Sequence, residues 1–265
     1  MIPHIHCRTF GSGARPTLAI HCSLAHSGAW RGMGAALGDL ATLHAFDLPC
    51  HGQSGDWDGQ GVMHDTATAM ALSVLDVIDA GPVDVIGHSF GATVALRLAI
   101  EYPKRVRSLV MYEPVYFAPV MADDPGFGPG YARDTAPFDA ALDAGDLEGA
   151  ARAFNRLWGN ATDWGDIPEA TRDYMAARIH FIRDSSPFLI DDCAHLLAPG
   201  RFDAATMPAL LLRGAGSPWA APVSHAIARR LPDAREICLD GVGHMGPITH
   251  PDTVAAPVRD FLGRV

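Results

Sequence analysis

The strongest chemical signal in the chain is the run Gly87-His88-Ser89-Phe90-Gly91. It follows an apolar strand predicted at 83–86 and precedes a helix predicted at 92–101. That strand–turn–helix setting gives the short G-x-S-x-G pattern its meaning. Glycine at both flanks permits a sharply bent, crowded backbone. The turn lifts the Ser89 hydroxyl above the sheet, with the Phe90 N–H directed at the reacting centre. A serine hydroxyl is a weak nucleophile and needs a base. Of the 13 histidines, His244 is best placed. It lies in Gly241-Val242-Gly243-His244-Met245, between a strand at 236–239 and the last helix, at the same carboxyl edge as Ser89. His88 reads as a packing residue of the turn and His250 as a cap of the last helix. The other histidines, including His4 and His6 on an expected edge strand, lack metal-ligand spacing.

Acyl transfer also needs two N–H donors for the oxyanion. Phe90 supplies one. The second is expected from the loop His21-Cys22-Ser23-Leu24-Ala25, with Ser23 first and Cys22 as the alternative.

These residues need a sheet whose carboxyl edge presents them together, and the chain has its pattern. Apolar runs at 18–20, 41–46, 83–86, 109–111, 210–212 and 236–239 alternate with helical periods at 65–79 and 251–262. This predicts an α/β fold with a mostly parallel, doubly wound sheet covered on both faces. Some 95 residues between Glu113 and the strand at 209–213 show no strand pattern. The part 120–136 reads as a loop rich in Gly, Pro and Asp, and helical material follows. A helical insertion over 114–205 therefore interrupts a core formed by 1–113 and 206–265, and is placed to act as a lid.

Composition narrows the function classes. The chain has 265 residues, of which 48% are apolar and 19% charged, the make-up of a globular protein rather than a disordered one. A formal net charge of −10 argues against nucleic acid or an anionic membrane as partner. No apolar run approaches a membrane span. The five scattered cysteines read as reduced thiols of a cytoplasmic protein. Lys104 is the single lysine and sits in an expected surface turn, which leaves Schiff-base chemistry without a good candidate.

Taken together, His21-Cys22, Asp47-Leu48-Pro49-Cys50-His51-Gly52-Gln53-Ser54, the Ser89 turn and Gly243-His244 resemble the α/β-hydrolase superfamily over nearly the whole chain. The resemblance implies a serine hydrolase branch with a helical cap inserted after the sixth strand. The sequence departs from the family where Cys22 and Cys50 replace glycines. It departs again after the seventh strand, where Ser217 occupies the usual aspartate position. Some members carry the acid after the sixth strand instead, and there this chain has Glu113. It ends a buried apolar strand, where an idle charge is costly, and keeps the order Ser, acid, His. Glu113 as a buttress of the cap's first loop is the alternative. Asp191, Asp192 and Asp240 are weaker candidates.

The expectation is a cofactor-free and metal-free hydrolase of a small ester, thioester or lactone. Ser89, His244 and Glu113 are its triad, and Ser23 and Phe90 its oxyanion donors. Candidate substrate contacts are Cys22, Tyr116, Phe117, Trp158 and Met245, although the aromatics suit a cap core equally well; so do Phe181 and Phe188. Carbon–carbon hydrolysis of a diketone, with Arg152, Arg156, Arg178 or Arg183 binding a carboxylate, and haloperoxidase-type chemistry are alternatives on the same residues. A weakly catalytic binding or signalling module is the alternative of another class. The partner expected is a small molecule, and a homodimer is left open.

Overall fold

A computed structural model describes residues 2–159 and 162–265. Its strands are β1 (Cys7–Phe10), β2 (Arg15–Ile20), β3 (Ala41–Phe46), β4 (Val83–His88), β5 (Val106–Tyr112), β6 (Ala209–Gly214) and β7 (Ala234–Leu239). They form one sheet in the order β1-β3-β2-β4-β5-β6-β7. β1 is antiparallel to β3, and the remaining neighbours are parallel. The helices are α1 (Arg31–Leu37), α2 (Met63–Ile78), α3 (Phe90–Glu101), α4 (Ala118–Asp123), α5 (Phe127–Asp143), α6 (Leu147–Trp158), α7 (Glu169–Arg178), α8 (His180–Leu189), α9 (Ala220–Ala228), α10 (Gly246–Thr249) and α11 (Pro251–Leu262).

Strand periodicity sorts the core into two layers. Leu18, Ile20, Val85, Leu109 and Leu211 face α2, α3 and α9. Ala19, Ile86, Val110 and Leu212 face α1 and α11. Because both faces are covered, the central strands are apolar without a break, and all six residues of β4 are buried. At the amino-terminal end of the sheet, buried Asp84 is held by Arg15, Arg107 and Ser108. Burial alone would raise its pKa, but these hydrogen bonds outweigh it and keep the carboxyl below its ordinary range.

The site is placed by the strand order. The chain moves from β2 outward to β3, then crosses back to β4 on the other side of β2. Loops leaving β2 and β4 therefore diverge and open a crevice at their carboxyl ends. The first of these loops carries Cys22 and Ser23, and the second carries Ser89.

Helices α4 to α8 lie between β5 and β6, and the strand that the family resemblance numbers sixth is the fifth of this chain. The expected loop at 120–136 is instead mostly helix, in α4 and the first half of α5. Pro129 falls in the first turn of α5, where no helical N–H is needed, and Phe127 and Phe138 anchor the helix by burial. The edge strand begins at Cys7, so His4 and His6 precede it. No helix among the described residues is long and apolar enough to cross a membrane.

Candidate active site

Ser89 stands between β4 and α3 at φ 54° and ψ −117°, a backbone region that costs a non-glycine residue energy and is found at functional turns. The flanking glycines make the turn feasible. A Cβ at Gly91 would run into the carbonyl oxygens of Ile20 and His21, and one at Gly87 into the backbone of Gly91 and Ala92. The Ser89 N–H donates to the Tyr112 carbonyl at 2.9 Å, which ties the turn to the neighbouring strand.

His244 lies on the loop after β7. The Tyr112 hydroxyl donates to the Gly243 carbonyl at 2.7 Å, and His88 Nε2–H donates to the His244 carbonyl at 2.8 Å. Both bonds fix the loop without using the His244 ring. That ring faces Ser89 Oγ through Nε2 at 3.0 Å and Glu113 Oε2 through Nδ1 at 2.6 Å. A carboxylate only accepts, so the proton of neutral His244 is on Nδ1 and the Nε2 lone pair is turned to the serine. Glu113 follows β5 directly, with φ 44°, and its Oε1 accepts the Gly214 N–H at 2.7 Å. Each carboxylate oxygen is thus assigned one donor. Ser89 is 5% exposed, His244 5% and Glu113 1%, so charge developing here is poorly screened by water. Burial and the nearby His244 push the His88 pKa well below its ordinary value, leaving a neutral ring beside His244.

The loop after β2 is held by two neutral imidazoles. His21 Nε2 accepts the Leu48 N–H at 2.9 Å, which puts its proton on Nδ1, and Nδ1–H donates to the Cys22 carbonyl at 2.7 Å. His51 accepts the Leu24 N–H at 2.9 Å and donates to the Pro49 carbonyl at 2.8 Å. Burial lowers the pKa of His21 to about 4 and that of His51 to about 3. Leu24 N–H is therefore engaged, and Ser23 is left facing the cavity.

That cavity has a volume of about 570 Å³. Ser89, His244, Cys22, Ser23 and Met245 form part of its wall, and Phe154, Trp158, Ile167, Tyr174 and Met175 come from the helical insertion. No Asp, Glu, Lys or Arg lines it among the described residues. The Cys22 thiol, pushed up to about 12 by burial, remains protonated.

The structure thus brings together Ser89, His244 and Glu113, with Cys22, Ser23, Trp158 and Met245 around the cavity. Phe90 begins α3 beside Ser89, and its ring packs on Phe181 at 4.8 Å. Tyr116 and Phe117, expected as substrate contacts, are not part of the cavity wall. Tyr116 is buried and donates to Asp192 at 2.5 Å, while Phe117 packs on Tyr131 at 4.4 Å. Phe188 is stacked on His64 at 3.4 Å, inside the core. Of the weaker acid candidates, Asp192 also accepts from Leu196 and Leu197, and Asp191 and Asp240 are exposed. Of the arginines expected to bind a carboxylate, Arg183 pairs with Asp143 at 2.7 Å and Arg178 stacks on Tyr174 at 3.7 Å. Arg152 and Arg156 line a separate groove. The sequence names His21 and His51 only as carriers of the family resemblance, without their loop-holding role, and does not single out Tyr174. Polar rings beside the carboxyl ends of β2 and β3 were the available signal for the histidines. None existed for Tyr174.

A model of the alpha/beta hydrolase family matches residues 18–256. The lipase LipV of Mycobacterium tuberculosis is 28% identical over 276 aligned positions, covering 99% of both chains. A pimeloyl-[acyl-carrier protein] methyl ester esterase of Neisseria meningitidis is 28% identical over 83% of this chain and 82% of its own. Among solved structures, an enol-lactonase from Burkholderia xenovorans superposes with a TM-score of 0.74 at 18% identity, covering 98% of this chain and 97% of the other. That likeness concerns the fold alone.

Proposed function

This chain belongs to the alpha/beta hydrolase family, and on that premise we propose that it hydrolyses neutral, apolar carboxylic esters through an acyl-enzyme on Ser89. Ser89 Oγ attacks the ester carbonyl while His244 Nε2 takes its proton. Glu113 keeps the other ring nitrogen protonated and balances the imidazolium. The N–H groups of Ser23 and Phe90 receive the oxyanion. His244 then protonates the departing alcohol, and a water activated by the same ring releases the acid. The observation that carries this reading is the Ser89–His244–Glu113 chain of 3.0 Å and 2.6 Å contacts beside the cavity. The names of the lipase and methyl ester esterase relatives support ester chemistry.

The cavity wall argues for the substrate class. A carboxylate-bearing diketone would need a buried cation, and the wall has no charged side chain among the described residues. The helical insertion then serves as a cap that encloses an acyl or alkyl chain. A p-nitrophenyl ester series tests this. Butyrate or octanoate should be cleaved at least about tenfold faster, in kcat/KM, than the anionic succinate half-ester, since one unpaired buried charge exceeds 1.4 kcal/mol. Equal rates would remove the argument from the cavity wall.

A further inference from the structure

The helical insertion reaches the catalytic base itself. Trp158, the last residue of α6, lies 4.6 Å from the His244 ring, centroid to centroid, at an interplanar angle of 55°. It is 7% exposed and packs against Phe117 at 6.3 Å, where the insertion leaves the sheet. On the core side, the Tyr174 hydroxyl of α7 donates to the Ala25 carbonyl at 2.8 Å and accepts the Gly52 N–H at 2.9 Å. These contacts seat the insertion on the loops after β2 and β3.

We propose that Trp158 is a positioning residue of the base: it holds the His244 imidazole toward Ser89 and stabilises the imidazolium formed during acylation. The proposal rests on the reading of Ser89, His244 and Glu113 as a triad. The cap is then part of the catalytic apparatus and not only a wall of the pocket. An indole within about 6 Å of a cation attracts it through its ring quadrupole. Neutral His244 gains much less from that field, so the effect falls on the step that charges it. Its size is roughly two- to thirtyfold in rate. The other groups facing the ring are Glu113, from the end of β5, and Ser89 and neutral His88, from the end of β4. Cys22 and His26 also border the cavity. Of these Glu113 supplies the counter-charge, and Trp158 adds a second favourable field from the insertion.

The test uses the full chain with Trp158→Phe, Trp158→Leu and His244→Gln, and p-nitrophenyl butyrate as the probe. Trp158→Leu should lose about tenfold in kcat with KM changed less than about threefold. The acid limb of its kcat/KM profile should move to lower pH, because the charged base is less favoured. Trp158→Phe should keep most of the rate. On acidification the native chain should show a drop in indole emission that is missing from both Trp158→Phe and His244→Gln. This spectroscopic step decides the matter even where Trp158→Leu does not fold. Losses confined to KM, an unmoved acid limb and an emission step that survives in Trp158→Phe would overturn the proposal. A native chain that neither turns over the ester nor labels at Ser89 would sink the triad reading and the proposal with it, whereas a chain that labels normally but fails the Trp158 tests sinks the proposal alone.

Discussion

Replacing Glu113 with glutamine keeps the shape of the side chain and removes one acceptor. In the native chain, Oε1 takes the Gly214 N–H at 2.7 Å and Oε2 takes His244 Nδ1–H at 2.6 Å. Glutamine offers one oxygen to these two donors. If that oxygen stays on Gly214, the NH₂ group faces Nδ1, and the imidazole must carry its proton on Nε2. It then presents a donor to Ser89 and cannot act as a base. If the amide turns over, NH₂ meets the buried Gly214 N–H, which costs about 1–3 kcal/mol. In that second arrangement the imidazolium forms with no counter-charge in a site that is nearly closed to water. Losing the carboxylate from a Ser-His-Asp triad costs about 10⁴ in the well-studied protease case. For Glu113→Gln we expect acylation slowed by roughly 10³ to 10⁴, about 4–5.5 kcal/mol. The assay is the second-order rate of fluorophosphonate labelling read by intact mass, with a thermal melt to show that the fold is kept. Labelling within about tenfold of the native rate, with the melt unchanged, would refute the role of Glu113.

Three further outcomes follow from the same contacts. Asp84→Ala leaves Arg15 and Arg107 without their shared carboxylate. Discounting for the partial exposure of the arginines, this should cost about 2–3 kcal/mol in urea unfolding; a change under about 0.5 kcal/mol contradicts the assignment. His21 and His51 are buried neutral, with pKa values lowered by burial to about 4 and about 3. Their unfolded forms take up protons first, so the stability they contribute is complete above about pH 6.5 and declines as pH falls toward 4. Unfolding free energy should therefore drop by roughly 2 kcal/mol per ring between pH 7.5 and 5, and a flat profile would speak against neutral rings. Cys22, with its thiol pushed up to about 12, should stay unmodified by iodoacetamide at pH 8 while the exposed Cys7 and Cys238 react, as peptide mapping would show.

The elements that could be read from sequence were those whose geometry demands a residue type. Gly87 and Gly91 are required because a Cβ at either would collide with neighbouring backbone, so the turn around Ser89 announces itself. Glu113 was visible as a charge ending a buried strand. Ser217, where the family usually has aspartate, lies in a loop that instead follows the backbone donor of Gly214 to Glu113. The helix α5 was hidden because Gly128, Gly130 and Pro137 oppose helix by local propensity, and burial of Phe127 and Phe138 overrides them. Tyr116 and Phe117 show a second limit. An aromatic side chain has the same character whether it faces a cavity or packs in a core, and tertiary contacts alone separate the two. The locked rings of His21 and His51 depend on backbone partners 27 residues away, which no local pattern reports.

Hydrolysis by this chain requires an activated Ser89. Intact mass after brief fluorophosphonate treatment, followed by peptide mapping, tests it most directly. One adduct per chain is expected, located on Ser89 and absent from Ser89→Ala. An unlabelled native chain, or an adduct that persists in Ser89→Ala, would contradict it.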